Sequence, residues 1–211
     1  MRFSKGQQEA LSAVLISGIL IGVVGSVYFW GIPLVQKNKD ISLLETSESF
    51  MRQLDDKIKS VANTGGRDQL VVNVPGVLKF DGSMLDLSIE TEGTIYATDA
   101  QIPLGRGVTS NLKTDISANP PVQYGVWGTD DTVLFNVISN KISQNKYKND
   151  YKLEYVQLRN QATLRDFQIV LTGQPTAGGL QRTIVIESAG DAQTLVNGRT
   201  LISSNVKISI V

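Results

Sequence analysis

From Ala10 to Gln36 the chain carries no charged side chain. An uncharged helix of that length can cross a bilayer, whose hydrocarbon core takes about 20 apolar residues. Val14, Leu15, Ile16, Ile19, Leu20, Ile21, Val23, Val24, Val27, Phe29 and Ile32 favour insertion by roughly 3–7 kcal/mol in total, at roughly 0.3–0.6 kcal/mol each. A core helix of a water-soluble protein carries a polar face, and this run has none. Tyr28 and Trp30, followed by Lys37 and Lys39, fit an interfacial aromatic belt with its basic flank. Pro33 has no amide hydrogen to donate, so with Gly31 beside it the pattern predicts a bend or interruption of the helix there.

Beyond Pro33 the pattern becomes amphipathic. Leu43, Leu44, Phe50, Met51, Leu54, Ile58 and Val61 recur at helical intervals, and Glu45, Glu48, Arg52, Asp55, Asp56, Lys57 and Lys59 fill much of the other faces. Gly65 and Gly66 supply a stop. A continuous helix from Gln7 to Ala62 would be on the order of 80 Å long. After Gly66 the period shortens to two: Leu70, Val72 and Val74; Leu85, Leu87 and Ile89; Val133, Phe135 and Val137; Tyr151, Leu153 and Tyr155. Asp81-Gly82-Ser83 reads as the turn between strands at Val77–Phe80 and Met84–Glu90. Further β-prone stretches are Thr94–Thr98, Phe167–Leu171, Thr183–Ile186 and Val206–Val211. The expected fold class is α+β: a long N-terminal hydrophobic helix followed by an antiparallel β-sandwich or barrel-like head.

Two loops interrupt this head. Gly105 to Asp131 is long, polar and broken by Pro120-Pro121; Tyr124 and Trp127 within it read as anchors or recognition residues. Asn140 to Asp150 carries Lys141, Lys146, Tyr147 and Lys148. Lysines interleaved with an aromatic can bind nucleic acid or sugar, but the formal net charge of zero favours a solvated hairpin tip and no nucleic-acid partner.

Composition removes several chemistries. There is no cysteine and no histidine, so disulfides, thiolate sites and the usual zinc ligands are excluded, along with the commonest general base. No Gly-x-Ser-x-Gly elbow or phosphate-binding loop is present. Asp55-Asp56 and Asp130-Asp131 are adjacent carboxylates. Neighbours on a helix point apart, the second pair suits a turn, and no calcium-loop spacing surrounds either. The reading is of a chain without catalytic residues, metal site or cofactor.

Small residues recur in the uncharged run. Gly18, Gly22 and Ser26 follow one four-residue spacing, and Ala13 and Ser17 form another such pair. Such spacing lets helix backbones approach closely. Ahead of the run stand Arg2 and Lys5, then Gly6, Gln7 and Glu9. A short basic leader ending in glycine, before the hydrophobic segment, looks like a cleavage site, whereas an ordinary secretory signal is cut after its hydrophobic segment. Arg2 and Lys5 favour a cytoplasmic N-terminus, and the large polar C-terminal part reads as translocated.

Together, Lys5-Gly6-Gln7 and the intact hydrophobic helix leading into a β-rich head resemble archaeal type IV pilin-like proteins, including archaellins, which begin with a class III signal peptide. The resemblance covers roughly the first third of the chain. It implies a leader at 1–6, a transmembrane and assembly helix with an amphipathic extension at 7–66, and an extracytoplasmic β-rich domain at 67–211. A prepilin peptidase would cut between Gly6 and Gln7. Before assembly, membrane lipid would cover the helix. Afterwards, copies of this chain or related pilins would cover it in a surface filament built by a cytoplasmic assembly ATPase and its platform. Many pilins carry an acidic residue at the fifth mature position; here Leu11 is fifth and Glu9 third, so Glu9 reads either as an assembly residue or as a solvated headgroup residue. Two other readings are a membrane-anchored binding module that never polymerises and a membrane-tethered hydrolase using the long loop.

Overall fold

The computed structural model describes residues 5–105, 132–160 and 164–211. The long loop's Pro120, Pro121, Tyr124, Trp127, Asp130 and Asp131 lie outside the described residues. The chain opens with one helix, α1 (Lys5–Thr64), followed by β1 (Arg67–Val71), β2 (Val77–Phe80), β3 (Met84–Thr91), β4 (Gln101–Pro103), β5 (Val133–Ser143) and β6 (Lys146–Tyr155). Then come β7 (Leu158–Asn160), β8 (Arg165–Thr172), β9 (Thr176–Gly178), β10 (Thr183–Val196) and β11 (Arg199–Ile210). Among the described residues the strands form two sheets, one ordered β1-β10-β11-β8-β7 and the other β4-β5-β6-β3-β2-β9. The fold is α+β, a long helix with a two-sheet head.

Pro33 does not interrupt α1. A proline removes one hydrogen bond from a helix and crowds the preceding turn; here the helix continues on both sides. Helices in membranes tolerate proline in this way. The helix stops where the sequence places the stop: Gly65 and Gly66 both adopt positive φ, and the Gly65 amide still donates to the Val61 carbonyl at 2.9 Å. An L-residue with a side chain is disfavoured in that conformation.

The second half of α1 belongs to the head's core. Leu44, Met51, Leu54 and Ile58 are fully buried, as is Phe50 to within 1%. They join one continuous cluster with Leu78 and Phe80 of β2, Leu85, Leu87 and Ile89 of β3, Tyr151 and Leu153 of β6, and Ile184, Ile186, Val206 and Ile208 of the other sheet. The alternation in β2 and β3 translates directly into burial: every second side chain points inward. Cross-strand partners such as Leu85 with Leu153 and Leu87 with Tyr151 then stack on the same inner face.

One pairing departs from the antiparallel expectation. β11 lies parallel to β8, with Ile202 opposite Phe167 and Val206 opposite Leu171. A partly buried ion pair joins the two strands: Arg199 donates to the buried Asp166 at 2.6 Å, and Gln157 donates to the same carboxylate at 2.7 Å. Thr94–Thr98 is also not a strand; it makes only an isolated bridge at Thr98 to Ser139. Its side chains tie it down instead, with Thr94 hydrogen bonded to Asn149 and Ser139. The tyrosine ring of Tyr96 meets that of Tyr151 edge-on at 6.0 Å.

Candidate functional site

The same helix has two opposite environments. In the run from Leu11 to Val35 the large apolar side chains are exposed, with Phe29 at 83% and Trp30 at 84%. Beginning at Asp40, α1 enters the head. The uncharged run therefore ends within one helical turn of the place where the head begins. The segment is long and apolar enough to cross a membrane.

Polar contacts fix the helix on the head at this junction. Asp40 is buried, and its carboxylate accepts the Gly93 amide at 2.8 Å and the Gln36 side-chain amide at 3.2 Å. One turn on, the Tyr151 hydroxyl donates to the Leu44 carbonyl at 3.0 Å. Arg52 bridges Glu48 and the Leu104 carbonyl, both at 2.6 Å, with its guanidinium 5.3 Å from the centre of the Phe135 ring. Tyr96 contacts Glu48 and Tyr151. Burial raises the pKa of both tyrosines, so each remains a neutral phenol at physiological pH. Further along, Tyr155 donates to Asp55 at 2.8 Å, and Lys59 pairs with the same carboxylate. Asp55 thus serves the seat of the helix. The core-facing pattern foretold a docked helix, but Asp40, Tyr96 and Tyr151 carry no local signal of their part in it; their partners are distant in sequence.

On the exposed half, the expected packing residues are all accessible: Ala13, Ser17, Gly18, Gly22 and Ser26. A methyl group built on Gly18 or Gly22 meets nothing within 4 Å. Ser26 donates back to the Gly22 carbonyl at 2.8 Å, which keeps its hydroxyl from needing an outside partner. At about 100° per residue, Gly18, Gly22 and Ser26 share one side of the helix, and Ala13 and Ser17 lie on nearly the opposite one. Lys5, Gly6, Gln7 and Glu9 belong to the first turns of α1.

The Asn140–Asp150 segment is a hairpin, with Ser143 opposite Lys146 across a two-residue turn. Its outer face continues onto β3, where Asp86 stands between Lys79 and Lys152 in register. One oxygen of Asp86 is buried with no hydrogen-bond partner among the described residues. Burial, then the charge of Asp150, raises its pKa. An acid whose folded pKa is raised binds its proton more tightly when folded. Its ionisation therefore withdraws stability as pH rises from the unfolded value of about 3.9 through the folded one. Asp86→Asn should remove that loss: urea midpoints of the two proteins should diverge in favour of the variant as pH rises from 4 towards neutrality. A constant difference across the series would count against it.

Among the described residues no three acidic side chains converge as a metal site. Comparison with known protein families, with curated proteins and with solved structures finds no match.

Proposed function

We propose that this chain is a structural subunit, major or minor, of an archaeal type IV pilus-like surface filament. In this reading a prepilin peptidase cuts between Gly6 and Gln7. The mature helix waits in the membrane with its N-terminus on the cytoplasmic side, and assembly machinery driven by an ATPase transfers it into the filament. The observation that supports this most is the helix with two lives: one half packed into the head's core, the other uncharged, with its large apolar side chains uncovered.

Burying a large aliphatic or aromatic side chain is worth about 1.5–3 kcal/mol, so leaving the exposed half in water would cost tens of kcal/mol. Lipid and a bundle of like helices both avoid that cost. The small residues favour the bundle as the final state, because they occupy two nearly opposite sides. A two-fold dimer buries one self-complementary patch, whereas head-to-tail contacts that do not close need two different ones. The head, held rigidly to the helix, would then coat the filament.

Mass spectrometry of the protein from its native membrane should give a mature chain beginning at Gln7. Gly6→Val, which puts a branched side chain at the cut site, should accumulate precursor and yield no filaments. An intact leader on assembled native protein, or normal filaments from the variant, would overturn the reading. Native protein that stays a detergent-extracted monomer would favour a binding module anchored in the membrane.

A further inference from the structure

We propose that the tip of the β5–β6 hairpin rests on anionic lipid headgroups, giving the head a second point of contact with the membrane that holds α1. This rests on reading α1 as the anchor. The argument begins with position. β3 ends at Thr91, which pairs with Tyr147, and Tyr147 pairs with Lys141. Gln36, Lys39, Asp40, Glu90 and Lys146 line one cleft. The hairpin tip therefore comes down beside the helix at the level where the uncharged run ends. The β2–β3 turn at Asp81–Ser83 lies at the other end of β3, roughly 25 Å away at about 3.4 Å per residue.

The chemistry of the tip suits a headgroup layer. Ile142 is 48% exposed at the end of β5, flanked by the exposed Lys141. Lys146 leaves most of its side chain in solvent and reaches Glu90 only at 3.8 Å. Lys39 projects from the helix into the same cleft as Lys146. The acidic groups on this rim are Asp40, committed to Gly93 and Gln36, Glu90 and the exposed Glu92; Lys148 is neutralised by Asp150 at 2.9 Å. Three exposed lysines, Lys39, Lys141 and Lys146, thus stand on a rim whose remaining acids are Glu90, paired with Lys146, and Glu92. An exposed aliphatic side chain with lysines close by binds an anionic interface by inserting the first and pairing the second.

The chain contains no cysteine, so one introduced thiol takes a fluorophore at one place. The full chain would be labelled separately at Asn145→Cys in the tip, Ser83→Cys at the far turn and Phe29→Cys in the apolar run. Each protein would be reconstituted sparsely into phosphatidylcholine vesicles with or without phosphatidylglycerol. Lipids with a nitroxide on the acyl chain should quench position 29 in both membranes. Lipids with a nitroxide on the headgroup should quench position 145 several-fold more than position 83 in phosphatidylglycerol vesicles. That excess should vanish in about 1 M salt, where the screening length is about 3 Å, and in Lys141→Glu/Lys146→Glu protein. Quenching at 145 no stronger than at 83, or equal with and without phosphatidylglycerol, would overturn the proposal while quenching at 29 leaves the anchor standing. No quenching at 29 would overturn both.

Discussion

A chain beginning at Lys37 should fold as a water-soluble head, and one beginning at Arg67 should not fold. The first keeps Leu44, Phe50, Met51, Leu54, Ile58 and Val61, all buried to 3% exposure or less. The second loses all of them. At about 1.5–3 kcal/mol each, these side chains contribute roughly 9–18 kcal/mol, as much as the whole 5–15 kcal/mol that holds a typical domain folded. The missing helix would also strand polar groups: the Tyr151 hydroxyl would lose the Leu44 carbonyl, and the Leu104 carbonyl would lose Arg52. Buried groups left without partners add about 1–3 kcal/mol each to the loss. Urea unfolding followed by circular dichroism separates the outcomes. The longer chain should give one cooperative transition, and the shorter one none. A cooperative transition of similar midpoint from 67–211 would show that the helix is an attachment to the head and not part of its core.

The core of this arrangement was legible because burial leaves a period in the sequence. The helical stripe from Leu43 to Val61 and the alternation in Leu85–Ile89 each name their own inner face. What burial does not shape was not legible. The outer half of β10 is exposed and that of β11 only half-buried, and their apolar residues fall in adjacent pairs, Leu195-Val196 and Leu201-Ile202, so no alternation marks them. They form a ribbon closed by Asn197-Gly198, both at positive φ. That dipeptide is a strong hairpin signal, and it was the one clue available there. Thr94–Thr98 failed in the opposite direction: its β-branched residues suit a strand, but its threonine and tyrosine side chains bond to groups far away in sequence. The parallel pairing of β8 with β11 likewise joins strands distant in sequence, with Arg199 and Asp166 paired at its edge. The exposed half of α1 was marked by composition alone, because its uncharged run has no polar face to turn towards water.

Gly18→Val/Gly22→Val should leave the protein in the membrane with its head folded, and abolish filaments. Within a single chain the added side chains are free, since nothing lies within 4 Å of either position. Valine also favours bilayer insertion, so membrane content should not fall. The effect is confined to contacts between helices. A neighbour seated against the glycine side would meet two branched side chains where it had backbone, and overpacking a close contact costs about 1–3 kcal/mol. In a filament every subunit would repeat that cost at every such contact. Each 1.4 kcal/mol weakens association about tenfold, so two sites together should lower subunit affinity by about 30–20,000-fold. Ala13→Leu/Ser17→Leu probes the opposite side in the same way. If each double variant abolishes filaments while head folding and membrane content persist, the helix is held by neighbours on both sides. If only one does, close helix packing is confined to that side, and the other small pair has no part in assembly. Normal filaments from both variants would leave the small residues without a part in assembly, and the helix as a lipid anchor alone.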